Sequence, residues 1–140
     1  MSDETEVDER FLQETFRRCR FHQHMRLELE VIERGKVAVF VRHGPELDQA
    51  MGFLHGGVYA VALDTATYYA ALSHYGRAGR LPLTQEYKIN LIATAREEDL
   101  RAEAVLIKAG RRVAVAEAKI HTASGKLVAA GMASFLVPGD

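Results

Sequence analysis

A histidine and two glycines, His55-Gly56-Gly57, precede a lone carboxylate, Asp64, which lies nine residues after the histidine. The segment Val58 to Leu72 reads VYAVALDTATYYAAL, the most apolar and alanine-rich stretch of the chain, and Asp64 is its one charge. An ionised carboxylate among apolar side chains is expensive to desolvate unless something pairs with it. That makes Asp64 a candidate general base or nucleophile. Gly56 and Gly57 stand where a helix would begin, and the first N–H groups of a helix lack intrahelical partners, so they form a ready anion site. A base and a backbone anion site together suit attack on a carbonyl through an oxyanion. Plainer readings exist for the same residues. Asp64 fits the N-cap of a helix starting there, or a satisfied core carboxylate. The glycines fit a tight loop-to-helix turn.

Spacing constrains how such a site is built. Seven residues separate Gly57 from Asp64, so on one helix they share a stripe but stand about 10 Å apart along the axis. One carbonyl cannot lie about 3 Å from both. Two copies with antiparallel central helices would bring Gly57 of one chain near Asp64 of the other. The spacing therefore points to a composite site in a homodimer.

The elements that must position these residues are legible from periodicity. Phe11, Leu12, Thr15, Phe16 and Cys19 give an amphipathic helix over 8–20, preceded by a frayed segment, 1–7. Alternation in RLELEVIE and KVAVFVR gives strands over 26–33 and 36–42, joined by a hairpin at Arg34-Gly35. A loop over 43–54 leads to a long apolar helix from Gly57 to about Tyr75, with Gly76 as its C-cap. Four strand-like runs follow, 83–95, 99–109, 112–123 and 126–137, with Gln85, Tyr87, Ile89 and Leu91 sharing one face of the first. Long antiparallel strands coil, and an all-round apolar helix is what such a sheet would wrap. Ala114, Ala116 and Ala118 leave one face of the third run thin enough for it. The predicted architecture is α+β: a six-stranded antiparallel sheet around a long central helix, with an extra N-terminal helix, in a single domain over 1–140.

Composition narrows the classes. The chain has 140 residues, is 48% hydrophobic and 26% charged, and carries a net charge of −1. No global basic field holds nucleic acid or an anionic membrane. The single cysteine, Cys19, excludes an intrachain disulfide and argues against a cysteine-based metal centre. The acidic start, MSDETEVDER, has no apolar core and no run is long enough to span a bilayer, so the expected compartment is the cytoplasm. The remaining histidines lack ligand spacing, and no metal is expected.

Read together, Gly52-x-x-His55-Gly56-Gly57, Asp64, the strand from Thr84 to Ala95, Lys108-x-Gly110-Arg111 and Ser124-Gly125-Lys126-Leu127-Val128-Ala129 resemble the hotdog-fold acyl-CoA thioesterases of the phenylacetic-acid-pathway type. The resemblance covers roughly 25–137. It implies hydrolysis of an acyl-CoA to a free acid and coenzyme A, the latter being part of the substrate, with no separate cofactor. It implies dimers with shared sites, often paired into tetramers. On this reading the Gly57 N–H polarises the carbonyl, Gln49 helps position it, Asp64 activates water or attacks, and Thr84 holds that water. His55 orients the loop. Gly56 and Tyr68 border the substrate, and Lys108, Arg111 and Arg112 meet the coenzyme A phosphates. Gln49 departs from the asparagine usual at its position. Plain alternatives are a solvated Gln49, an ordinary strand Thr84, a core Tyr68 and solvated hairpin charges. The resemblance leaves two rival functions, a hotdog hydratase or dehydratase and a non-catalytic acyl-CoA sensor. Acyl groups consistent with it are aromatic, such as phenylacetyl or hydroxybenzoyl, or medium-chain fatty.

Overall fold

A computed structural model describes residues 6–139. Helix α1 spans Glu9–Arg18, and its N-cap Asp8 accepts the Phe11 N–H at 2.9 Å. Leu12 and Phe16 are its buried face. The single helix expected to 20 breaks at Cys19, whose backbone is extended, and a short α2 follows over Arg20–His24. The break lets His22 turn inward, where its ring lies 4.2 Å from that of Phe16 and its Nδ1 meets the Phe16 carbonyl at 2.9 Å. Of the segment expected to be frayed, residues 1–5 lie outside the described residues. Residues 6 and 7 are anchored: Arg77 donates to the Glu6 carbonyl at 3.0 Å, and Val7 packs on the core.

Strands β1 (Leu27–Glu33) and β2 (Lys36–Val41) form the expected hairpin. Helix α3 runs Gly56–Tyr75. It ends at Tyr75 with Gly76 as its C-cap, as expected; Gly76 keeps a helical backbone, a single 3-10 turn continues to Ala78, and Gly79 supplies the left-handed residue at φ 71°. Strands β3 (Leu83–Leu91), β4 (Leu100–Ala109), β5 (Val113–Thr122) and β6 (Leu127–Leu136) follow, somewhat shorter than their apolar runs. The first run ends early because the Ile92 and Ala93 N–H groups both turn to the Val128 carbonyl.

All pairings are antiparallel, in the order β1-β2-β4-β5-β6-β3. The sheet curls around α3, whose residues Ala62, Leu63, Ala66, Thr67, Ala70 and Ala71 have no exposed surface. Ala114 and Ala116 are equally buried, the thin face that lets the helix approach. Each fully buried leucine such as Leu63 contributes about 1.5–3 kcal/mol.

Strands β1 and β3 are the two edges of the sheet; β3 pairs with β6 alone and lies open along its outer side. Leu83 is 59%, Tyr87 45% and Leu91 58% exposed. An apolar open edge of this length is a template for pairing with another strand. Among the described residues no helix is long and apolar enough to cross a membrane.

Candidate active site

Helix α3 is not covered on all sides. Gly57 is exposed, and Ala60, Val61, Asp64 and Tyr68 are only partly buried. Their spacing of three and four residues makes one stripe on the helix. Asp64 sits in its middle. Its carboxylate is therefore less desolvated in one protomer than the surrounding sequence suggests, because the alanines and leucines beside it serve the other faces.

Thr84 is the partner of Asp64. Its Oγ1 donates to Asp64 Oδ1 at 2.8 Å. A bulge in β3 makes this contact. Thr84 pairs with buried Phe135, but the next pairing skips Gln85 and joins Glu86 to Ser134. Simple alternation would place Gln85 on the Tyr87 face; the extra residue hands that place to Thr84, which then shares the helix side with Phe135. Tyr68 lies one helical turn beyond Asp64, its ring 5.5 Å from Tyr69 and 6.1 Å from Phe135. Burial, and then the charge of Asp64, raises the Tyr68 hydroxyl pKa above its ordinary value.

The start of α3 is ordered by His55. Its backbone is extended (φ −62°, ψ 135°), its Nδ1 accepts the Gly57 N–H at 2.8 Å, and its own N–H donates to the Leu47 carbonyl at 2.9 Å. Its side chain thus acts as an N-cap. This revises the expected donor: the Gly57 N–H is occupied, while among the described residues nothing accepts the Gly56 N–H. The site's free backbone donor is Gly56.

Gln49 lies in a turn closed by the bridge between Asp48 and Leu54. Its Oε1 accepts from the Met51 N–H and, at 3.4 Å, from the Phe53 N–H. The oxygen of the carboxamide is committed to its own loop, and the amide N–H groups are its unengaged part. Beneath the turn, His43 Nε2 meets Asp48 Oδ1 at 3.0 Å, and the His43 N–H donates to Asp99 Oδ1 at 2.8 Å. Neither His43 nor Asp48 stands out in the sequence, because a histidine five positions before an aspartate matches no motif.

The basic hairpin lies at the Thr84 end of the sheet. Val113, Leu136 and Leu83 form one row across β5, β6 and β3, directly beside the Thr84 row. Two strand spacings put Arg112 roughly 10 Å from β3. Arg111 and Arg112 lend their carbonyls to Arg80 and to the Val137 N–H, while their side chains and that of Lys108 stay exposed. No group of three potential metal-ligating side chains occurs among the described residues.

Within one protomer, then, the structure joins Asp64 with Thr84 and Tyr68, and separately joins His55, Gly56 and Gln49. These two halves lie at opposite ends of β3. A Cβ placed on Gly56 would meet Leu91 Cδ1 at 3.2 Å, whereas Asp64 touches Thr84. Thr84 and Leu91 are roughly 20 Å apart along an extended strand.

Comparison with known proteins identifies the family and the fold. The family model described as Thioesterase superfamily matches residues 51–129, more than half of the chain and both halves of the helix stripe. The medium/long-chain acyl-CoA thioesterase YigI of Escherichia coli K12 is 28% identical over 131 residues, covering 84% of either chain. A thioesterase family protein from Silicibacter pomeroyi superposes with a TM-score of 0.84 at 27% identity, covering 90% of this chain and 94% of that one. The Escherichia coli PaaI protein of the phenylacetic acid degradation operon shares the fold, with a TM-score of 0.82 at 18% identity over 90% of this chain and 89% of its own. With its six antiparallel strands wrapped on α3, the chain belongs to the thioesterase superfamily as a hotdog-fold thioester hydrolase.

Proposed function

We propose that the protein hydrolyses acyl-CoA thioesters at a site shared between two copies paired through β3. One observation carries this reading. Asp64 and Thr84 mark one end of an open, apolar edge strand, and Gly56, beside Leu91, marks the other. Antiparallel self-pairing of β3, centred between Tyr87 and Lys88, sets Thr84 of one copy beside Leu91 of the partner. The carboxylate half then faces the partner's helix-start half, which removes their separation within a chain, about 12 Å along α3 from Gly56 to Asp64. The exposed stripe of α3 gains cover in the same step, which desolvates Asp64.

In this site the thioester carbonyl oxygen accepts from the Gly56 N–H and from the Gln49 amide. Both lie at the positive end of α3, where developing negative charge is favoured. Thr84 holds Asp64 Oδ1 and leaves Oδ2 to take a proton from water. That water attacks the carbonyl carbon, the tetrahedral oxyanion collapses, and the carbon–sulfur bond breaks. The thiolate of coenzyme A leaves and takes up the proton from Asp64. No metal or redox group enters these steps. Arg111, Arg112 and Lys108 face the polyanionic end of coenzyme A from the Asp64 side. Tyr68 borders the acyl group, and aromatic or medium-chain acyl groups suit a half-buried aromatic wall. Pairing of dimers into tetramers belongs to the same reading, and light scattering measures it.

The test is release of free thiol from a panel of aromatic and fatty acyl-CoAs. Asp64→Asn, nearly isosteric, is expected to lower kcat at least about a hundredfold, the scale of a lost general base, with the far-UV circular dichroism unchanged. Full turnover by this variant would remove Asp64 from the reaction. Binding of acyl-CoA without thiol release by the wild type would favour a sensor instead.

A further inference from the structure

Arg96 lies in the connection between β3 and β4, outside every motif described above. It closes over the turn that carries Gln49. The neighbouring Ala95 carbonyl accepts the Leu54 N–H at 2.9 Å, which fixes the connection against the turn. The Arg96 guanidinium carbon stands 4.4 Å from the centre of the Phe53 ring, and Nη2 donates to the Met51 carbonyl at 3.2 Å. Between these two residues is Gly52, at φ +85°, where a Cβ would come 2.8 Å from Arg96 Nη1. Glycine suits position 52 for its backbone angle, and the absent Cβ leaves the guanidinium room where it lies.

Gln49 grips the same residues from the other side. Its Oε1 takes the N–H groups of Met51 and Phe53, its carbonyl accepts the Gly52 N–H at 3.0 Å, and its N–H donates to the Phe53 carbonyl at 2.7 Å. Met51 and Phe53 are thus each held by Gln49 and by Arg96 together. We infer that Arg96 is a positioning residue: it clamps Met51-Gly52-Phe53 so that their N–H groups hold the Gln49 carboxamide oxygen and turn its N–H groups toward the thioester carbonyl. A carboxamide held this way donates and does not accept, which makes Gln49 a partner of the carbonyl oxygen and not of the attacking water. The catalytic half of this inference rests on the acyl-CoA thioesterase reading; the conformational half does not.

Two measurements on the full-length protein test it. The first is a double-mutant cycle with Arg96→Ala, Gln49→Ala and both, assayed by thiol release. Arg96→Ala is expected to lower kcat about tenfold with KM little changed, as for a misaligned group, and to add nothing in the Gln49→Ala background. Multiplying effects in the double variant, or a raised KM at unchanged kcat, overturn the inference, since a cation that simply binds substrate phosphates would act that way. The second is amide hydrogen exchange by NMR on the ligand-free protein. In Arg96→Ala the Met51 and Phe53 N–H groups are expected to exchange at least about tenfold faster as their local opening becomes easier, with the Gly57 and Val58 N–H groups unaffected. Unchanged exchange at Met51 and Phe53 overturns the clamp. Absence of thiol release from the wild type would fail the thioesterase reading alone, because the exchange measurement still decides the conformational claim.

Discussion

Replacing Gly56 by proline isolates a single backbone N–H. Gly56 is the first residue of α3, following the N-cap His55. Proline is at home in that position, where its fixed φ suits the helix and no intrahelical bond is lost. The preceding residue must be extended, and His55 already is, at φ −62° and ψ 135°. The nearest atom to a new Cβ is Leu91 Cδ1 at 3.2 Å, the end of a flexible side chain that gives by a few tenths of an ångström. The cap from the Gly57 N–H to His55 and the bond from the Val58 N–H to the His55 carbonyl both persist. Gly56→Pro therefore folds, and restriction of the unfolded chain adds about 0.4–1 kcal/mol of stability. Catalytically it removes the one free donor at the helix start. Loss of an oxyanion donor amounts to about 3–4 kcal/mol of transition-state stabilisation, so kcat for thiol release falls roughly a hundred- to a thousandfold. Gly56→Ala, which keeps the N–H and adds the same contact with Leu91, controls for bulk and is expected to stay within about threefold of wild type. The paired variants are read by stopped or continuous thiol assay, with thermal unfolding as the check on folding. Equal kcat for the proline variant and the wild type would refute the assignment of the oxyanion to Gly56.

The shared site predicts subunit complementation. Asp64→Asn and Gly56→Pro, each nearly inactive alone, carry their lesions in opposite halves. Unfolded together and refolded in equal amounts, they form mixed dimers with one intact and one doubly impaired site, restoring about a quarter of wild-type activity for an isologous pair; activity no higher than the sum of the separate variants would place each site within one chain. Thr84→Val deletes the hydroxyl that holds Asp64 Oδ1 and is expected to reduce kcat about tenfold, the scale of one hydrogen bond to a charged group; an unchanged kcat would show the bond to be incidental. Acid stability is the last. Burial pulls the pKa of His22 below its ordinary 6.5, with the Phe16 carbonyl partly opposing, and burial followed by Arg34 lowers that of His74. The unfolded chain then takes up these protons first as pH falls, so stability declines from about pH 7 toward pH 5. Urea titrations at both pH values are expected to show a shallower decline in His22→Leu, and an undiminished slope would exclude His22 as its source.

Much of the architecture is legible in local pattern. Alternation located the β1–β2 hairpin, the all-round apolar segment located α3, and the alanines of β5 marked the face it packs on. Such features repeat with the period of the element they build, so each residue reinforces its neighbours. The breaks are harder to read. The extended Cys19 that splits α1 from α2, and the 3-10 turn that carries the chain from the Gly76 cap to Gly79, depend on what the chain meets next. The Thr84 bulge is the sharpest case, since one extra residue reverses which side chain faces the helix and nothing in the alternation of Gln85, Tyr87 and Ile89 announces it.

The site divides in the same way. Residue types and spacing alone name Asp64, His55 and the glycine pair as the candidate chemistry of the chain, and the helical rise alone separates Asp64 from the helix start by too great a distance for one carbonyl. Which N–H remains free is a tertiary matter. His55 has a ring nitrogen that reaches Gly57 and not Gly56, a consequence of side-chain length and of the extended backbone at the cap. The commitment of the Gln49 oxygen to its own turn depends on how that turn closes, and the guanidinium of Arg96 laid on Phe53 joins residues separated by more than forty positions, which only the folded chain brings together. Sequence determines which groups are present and how far apart they stand along one helix; the packing of loops against that helix decides which of their hydrogen-bonding atoms are already spent and which are left for a substrate.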